Sequence, residues 1–347
     1  MTVTIKDIAR EAGVSTAAVS KALNNRGGIS LEVKRRIENI AVSKGYLPYV
    51  KSRHTGMYAS SNYLGIIFPF ADEYLSREVQ RGIDAVLRDS GTFQIRYNLD
   101  TIRQLDDEIR KDSLIDKILE DKSIVGLMTV FFQLADATIG RFKKSGIPVM
   151  QLNHRSNFGK SVTIDNVEAA YLVTKELIKL GRKKIGLIMP EETAEEVWFD
   201  RLQGYKKALN EAKIPYDPYL IVYEHTFSLT ETARATKTLF EREPGVDAIV
   251  FGSDLQAYGG IEALHTLGKT IPDDVAIFGF DNLPFSKITN PPLSSVIQPM
   301  FEMGKIGAEL LLESIKQKDF GDKTVVLRSQ LVPRQSSHKN IPREELI

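Results

Sequence analysis

Residues 6–25 read "KDIAREAGVSTAAVSKALNN". Ile5, Ile8, Ala9 and Ala12 fall on one helical face, Thr4 and Asp7 make a Thr-x-x-Asp start, and Gly13 supplies a stop. Ser15 is a good cap for a second helix whose inner face is Val19, Ala22 and Leu23. After the loop "NNRGG", Ser30 opens a third helix with Val33, Ile37, Ile40 and Ala41 on its apolar side. Three short helices around one small core make a helix-turn-helix domain. The outward face of the second helix carries Thr16, Ala17 and Ala18, with Lys21 one turn further on. A helix without bulky outward residues can approach base edges in a major groove about 12 Å wide. The methyls of Thr16, Ala17 and Ala18 suit thymine methyls, and Lys21 can donate to guanine. Ser15, Ser20, Asn24 and Asn25 suit phosphate contacts, which position a helix without reading sequence. Arg35 on the third helix is a further phosphate candidate.

The charge pattern around this stretch agrees. Residues 1–60 carry ten Lys/Arg and four Asp/Glu, a net of +6, whereas the remaining chain carries 36 and 41, a net of −5. A basic head on an acidic body is the electrostatic footprint of a nucleic-acid-binding module joined to something else. The length, 347 residues, allows two or three domains. There is no cysteine, hence no disulfide framework and no thiolate metal site. The N-terminus lacks a basic-then-apolar signal pattern, and no apolar stretch approaches the roughly 18 residues of a spanning helix. We therefore expect a cytoplasmic protein with no membrane partner.

"TIKDIAREAGVSTAAVSKALNN" (residues 4–25) resembles the DNA-binding head of the LacI/GalR family of bacterial repressors, whose pattern reads T-x-x-D-V-A-x-x-A-G-V-S-x-x-T-V-S-R-x-L-N. It departs at Ala18, where Thr is frequent, and at Lys21, where Arg is common. A lysine is a point charge without the bidentate fork of arginine, which softens base discrimination. In the family the next segment forms a hinge helix that wedges into the minor groove, patterned Y-x-P-N-x-x-A-R-x-L. Tyr46, Pro48 and Arg53 match, but the leucine position is Thr55, Gly56 follows, and Met57 is the nearest apolar wedge. A plain linker is the alternative reading of this joint.

From Tyr63 onward, apolar runs alternate with helical stretches. The runs include "YLGIIFP", "TFQIRYN", "IVGLMTV", "IPVMQLN", "KKIGLIMP", "YLIVYE", "DAIVFGS" and "DVAIFGF", and the helices include 76–89, 166–180 and 254–267. Near-continuous Val, Ile, Leu and Phe runs are what parallel strands buried on both faces look like. The expected architecture is α plus α/β: a helix-turn-helix head, a hinge, and a body of doubly wound parallel sheets. The strands are too many for one small sheet. The resemblance implies a two-lobed, periplasmic-binding-protein-like body whose chain crosses between lobes three times, near 162–164, 290–293 and 322–325. This gives a head at 1–47, a hinge at 48–61, a body at 62–338 and a tail at 339–347. Lobe 1 is about 62–162 and 292–323, and lobe 2 about 163–291 and 324–338, with the last strand returning to lobe 2.

Ligands of such sheets sit at the carboxyl ends of the strands. The candidates there are Phe70 and Tyr74, Asn153 and Arg155, Trp198 and Arg201, Ser253, and Asp281. Polar groups that grip ring hydroxyls beside aromatic faces that cover an apolar ring face suit a sugar. The resemblance assigns Arg201 to the effector arginine of R-x-x-G-[YFW] and Asp281 to the aspartate of G-[YF]-D-[DN]. Asn153 stands where Asp is common, and Ser253 where Asn is common. Other readings stay open: Asp254 or Asp281 as caps, Trp198 as a packing residue, Arg201 paired to Asp200. Phosphate loops, dinucleotide fingerprints, H-E-x-x-H and G-x-S-x-G are absent, and the five histidines are scattered. No enzyme activity, metal or cofactor is expected. The reading is a homodimeric repressor on palindromic double-stranded operator DNA, tuned by a small molecule, most simply a sugar. A regulator tuned by a protein partner or a non-sugar metabolite, or a solute-binding protein, are the alternatives.

Overall fold

The computed structural model describes residues 4–23, 29–30, 33–34, 36–37, 40, 62–68, 74–98, 108–156, 158–191 and 196–341. It divides into two compact units, Met1–Ser60 and Ser61–Ile347.

In the first unit, α1 spans Ile5–Ala12 and α2 spans Thr16–Leu23. Asp7 begins α1 by accepting from both the N–H and the hydroxyl of Thr4, at 2.9 and 2.6 Å. Gly13 ends it in the left-handed conformation (φ 64°), which glycine adopts without steric cost. Ser15 then caps α2, its Oγ accepting from the N–H of Ala18 at 3.1 Å. Helical backbone returns at 33–34, 36–37 and 40. Ile8, Ala9, Ala12, Val19, Ala22 and Ile37 close one core, with Ile5, Val14, Ile29, Val33 and Ile40 against it. Every apolar position assigned inward from the sequence is here, except Leu23 and Ala41, which lie outside the described side chains.

The second unit contains two parallel sheets. The first runs β11-β5-β4-β3-β1-β2, where β1 is Tyr63–Phe68, β2 Phe93–Asn98, β3 Ile124–Val130, β4 Val149–Leu152, β5 Lys160–Ile164 and β11 Lys323–Leu327. In its centre, Ile66 lies beside Arg96 of β2 and Met128 of β3. The second runs β7-β6-β8-β9, from β6 Ile185–Met189, β7 Ile221–Tyr223, β8 Ala248–Phe251 and β9 Ala276–Phe278. An antiparallel pair, β10 Ser295–Ile297 with β12 Gln330–Val332, joins this lobe through a bridge from Phe278 to Ser294. Crossover helices cover the first sheet: α3 (Tyr74–Leu87), α4 (Glu108–Glu120), α5 (Asp136–Lys144) and the long α10 (Met300–Gln317). The second is covered by α6 (Asn166–Lys179), α7 (Glu196–Glu211), α8 (Leu229–Arg242) and α9 (Asp254–Thr266). Both sheets carry separate apolar cores, as helices on two faces require.

The expected lobe limits need correction. β11 hydrogen-bonds β5 along Lys323–Leu327, so the start of "KTVVLRSQLV" closes the first sheet and only Gln330–Val332 belongs to the second lobe. β5 itself stays in the first sheet through Ile164, and Ser295–Ile297 belongs with the second lobe, whose core holds Val296. The chain therefore changes lobe after Ile164, between Ile297 and Met300, and between Leu327 and Gln330. Sequence pattern gave strand positions but not which lobe each strand pairs with, because pairing is set by long-range register.

Helices α3 and α10 touch backbone to backbone. A Cβ on Gly82 would lie 2.0 Å from the Phe301 carbonyl oxygen, and one on Gly304 would lie 2.0 Å from that of Val79. Neither neighbour can yield, because each belongs to a helix. Gly304→Ala is expected to lower stability by about 1–3 kcal/mol, the usual range for overpacking. A urea midpoint equal to wild type would mean the helices separate without cost.

Candidate functional site

On the head, Thr16, Ala17 and Lys21 are exposed along one side of α2, with Ala18 and Ser20 half-buried beside them. The opposite side is anchored by Val19 and Ala22. This leaves a low face, broken only by one lysine, at the amino end of a capped helix. That shape lets a helix seat deeply in a major groove. Thr4 is exposed but spends its N–H and hydroxyl on Asp7. Asn24, Asn25, Arg35, Tyr46, Arg53 and Met57 lie outside the described residues, and so does Phe70 of the body.

In the body, Arg201 is a buried cation of the second lobe. It follows Asp200 on α7 and is 4 % exposed. Its Nε donates to Asn166 Oδ1 at 3.0 Å, and a terminal nitrogen donates to the Gly252 carbonyl at 2.6 Å. The guanidinium sits 4.0 Å from the Phe280 ring centroid and 5.0 Å from that of Trp198. Trp198 in turn meets Phe227 at 5.8 Å. One cation and three aromatic rings from α7, the loop after β7 and the loop after β9 thus form a continuous wall. Phe227, Phe280 and Asn166 were not picked from the sequence. Phe280 stood beside Asp281 in "FGFDN", but nothing local marked Phe227, which long-range packing brings to Trp198.

Asp281 follows that wall. Its φ of 104° and the 50° of Asn282 put two non-glycine residues in succession at positive φ. A buried network holds them there. Arg334 donates to Asn282 Oδ1 at 2.6 Å, Asn282 N–H donates to Ser295 Oγ at 3.0 Å, and Ser295 donates to Asp254 at 2.6 Å. Asp254 also accepts from Leu283 N–H and Ser286. The Asp281 carboxylate accepts from Gln298 Nε2 at 2.5 Å. Together with Tyr74, Gln298 and Arg328, Asp281 lines a cavity of about 490 Å³ between elements of both lobes. Ser253 is 6 % exposed and its hydroxyl caps α9, accepting from Gln256 N–H at 3.1 Å. Asp254, the other cap candidate, is instead the first residue of the helix and the centre of the polar network.

Arg155 lies apart from that wall, on an ion pair. It follows β4 of the first lobe, yet it contacts Asp200 at 3.0 Å and Glu196 at 3.8 Å on α7 of the second. Asp200 therefore pairs across the lobes rather than with Arg201. Burial raises the Asp200 carboxyl, while Arg155 opposes that rise. Asn153 adopts φ 68°, and its buried Oδ1 makes no hydrogen bond among the described residues. Burial pushes the neighbouring His154 down and keeps it neutral.

Residues 4–49 match the model of bacterial regulatory proteins of the lacI family, and residues 174–337 match a periplasmic-binding-protein-like domain. The transcriptional repressor CytR of Escherichia coli K12 is 31 % identical over 337 residues, covering 96 % of each chain. The chain belongs to the lacI family of bacterial regulatory proteins. It is a DNA-binding transcription regulator, not an enzyme. Among its lacI-family relatives, the transcriptional regulator RegA of Clostridium saccharobutylicum is 29 % identical over 97 % of this chain and 100 % of its own. A solved lacI-family regulator from Enterococcus faecium with bound ribose superposes with a TM-score of 0.68 at 26 % identity, covering 80 % of this chain and 98 % of that one. No helix among the described residues is long and apolar enough to cross a membrane.

The network under Asp281 has a pH signature. Burial pushes the Asp254 carboxyl up to about 6, against the hydrogen bonds of Ser286, Ser295 and Leu283 and the charge of Arg334. The folded chain thus holds this proton more tightly than the unfolded one. The stabilising contribution is complete below the unfolded aspartate value and is lost as pH rises through about 6. In urea unfolding, the stability of wild type relative to Asp254→Asn is expected to fall as pH rises across that window. A difference independent of pH would show that this carboxyl does not titrate there.

Proposed function

We propose that the chain is a homodimeric repressor whose hold on a palindromic operator is set by a sugar or sugar derivative bound between the lobes of the body. The observation that carries this reading is Arg201, a buried guanidinium held between the Trp198 and Phe280 rings and next to Asp200, which pairs with Arg155 of the other lobe. Such a group grips adjacent hydroxyl oxygens, while the Trp198 ring beside it covers an apolar ring face. Asp281, Asn153, Ser253, Tyr74 and Phe70 complete the proposed site, with Arg155 at its rim. The relative solved with bound ribose supports the sugar class.

In this reading, residues 1–47 bind DNA, 48–61 form the hinge, 62–338 bind ligand and dimerise, and 339–347 form a tail. Two heads related by a two-fold axis read two half-sites. Thr16, Ala17, Ala18 and Lys21 face bases, Ser15, Ser20, Asn24, Asn25 and Arg35 serve phosphates, Thr4 belongs to the same DNA-binding head, and Tyr46, Arg53 and Met57 act at the joint. The protein works in the cytoplasm, where its operator is. A sugar shifts operator affinity only by its differential affinity for the two lobe arrangements, typically about 1–3 kcal/mol. The Arg155 pairs to Glu196 and Asp200 cross the lobes, so they strengthen or weaken as the lobes move.

The test uses fluorescence anisotropy on an operator selected from random duplexes, with a panel of pentoses, hexoses, disaccharides and their phosphates. One compound is expected to change wild-type operator affinity. Arg201→Ala should keep sugar-free operator binding and lose that response; a retained response would remove Arg201 from the site. Lys21→Ala is expected to cost about 1–3 kcal/mol on the selected operator and to relax preference at one position. An equal loss on all duplexes would make Lys21 a phosphate contact.

A further inference from the structure

Phe227 is a bulky residue with φ 54°, in the left-handed region that such side chains rarely occupy. A backbone outlier of this kind persists only where its surroundings over-determine it. Here the surroundings converge on one carboxylate. Glu224, which directly follows β7, is 5 % exposed. It accepts from the N–H and the hydroxyl of Thr226, and from the N–H of Phe227 at 3.2 Å. It also accepts from the Thr232 hydroxyl at 3.2 Å on α8 and from Gln256 Nε2 at 2.9 Å on α9. Burial by itself raises the Glu224 carboxyl, but the hydrogen bonds from Gln256, Thr226 and Thr232 outweigh it and hold it below the ordinary glutamate value. Among the described residues, five donors lie within reach of this ionised acceptor, and none of them is a cation; the Thr232 hydroxyl also reaches the Ser228 carbonyl. A structural loop could turn with far less. What the turn does deliver is the Phe227 ring onto Trp198, which itself stands over Arg201.

We propose that Glu224 is the positioning residue of the cleft's aromatic wall, fixing Phe227 in its left-handed turn against Trp198. Gln256 donates to Glu224 from the first turn of α9, the helix that Ser253 caps. The carboxylate thereby ties the loop that bears Phe227 to the first turn of α9. This gives Glu224 a role in ligand recognition through the ring it positions. It rests on the reading of this cleft as the ligand site.

Trp198 is the only tryptophan in the chain, so its emission reports the wall without any ligand present. That separates failure here from failure of the sugar reading. Glutamine at position 224 keeps the size but leaves one acceptor oxygen where the carboxylate had two. Glu224→Gln is expected to shift Trp198 emission to the red and to raise its quenching by acrylamide, in the direction of Phe227→Ala. The double variant should move no further than Phe227→Ala alone, since both changes remove the same ring contact. Thr226 is exposed, and Thr226→Ala removes a single hydroxyl donor. It should produce a smaller red shift, and it serves if Glu224→Gln does not fold. Wild-type emission and quenching in Glu224→Gln would overturn the proposal. So would effects of Glu224→Gln and Phe227→Ala that add, or an unshifted Thr226→Ala.

Discussion

The Arg201 guanidinium has left water, and a charge in that position must be matched from every side or it destabilises the fold by several kcal/mol. Its partners come from four places: Asn166 at the start of α6, the Gly252 carbonyl after β8, the Trp198 ring on α7 and the Phe280 ring after β9. The second lobe can satisfy the cation only when its sheet and two of its helices are in register. The same requirement places the ends of β8 and β9 beside each other, and with them Ser253 and Asp281. Fold and site are thus one problem in this lobe, solved by burying a single polar side chain among apolar ones.

The two lobes meet with fewer commitments. Three strands of backbone connect them, and Arg155 contributes ion pairs across the gap. Partly exposed pairs of this kind stabilise weakly, because solvent screens them. Each lobe has its own apolar cores, so relative movement of the lobes leaves those cores intact. That division is what a ligand-responsive regulator needs: rigid walls, a soft joint between them, and a separate helical head with its own small core.

The head was legible almost residue by residue, since capping and a 3.6-residue period are local. Thr4, Asp7, Gly13 and Ser15 each act where their chemistry predicts. In the body, strand positions were legible from apolar runs, but the pairing of β11 and β10 was not, since register depends on distant partners. Arg201 and Asp281 were singled out as candidates through motifs that resemble a family. Phe227 was missed because its position depends on Glu224, Thr232 and Gln256, which are distributed over residues 224 to 256. The ion pairs of Arg155 were not legible, because its partners Glu196 and Asp200 lie on the other lobe. Local chemistry is written in short windows, whereas a cleft wall is assembled from several windows at once.

In the proposed function, sugar binding and operator binding are coupled through one molecule. Thermodynamic linkage makes the coupling reciprocal: the factor by which a sugar changes operator affinity must equal the factor by which operator changes sugar affinity. The decisive measurement is the sugar Kd from Trp198 fluorescence with and without saturating operator duplex. The account predicts Kd values that differ by about 5- to 150-fold, the range of typical allosteric coupling. Identical Kd values in the two titrations would contradict it.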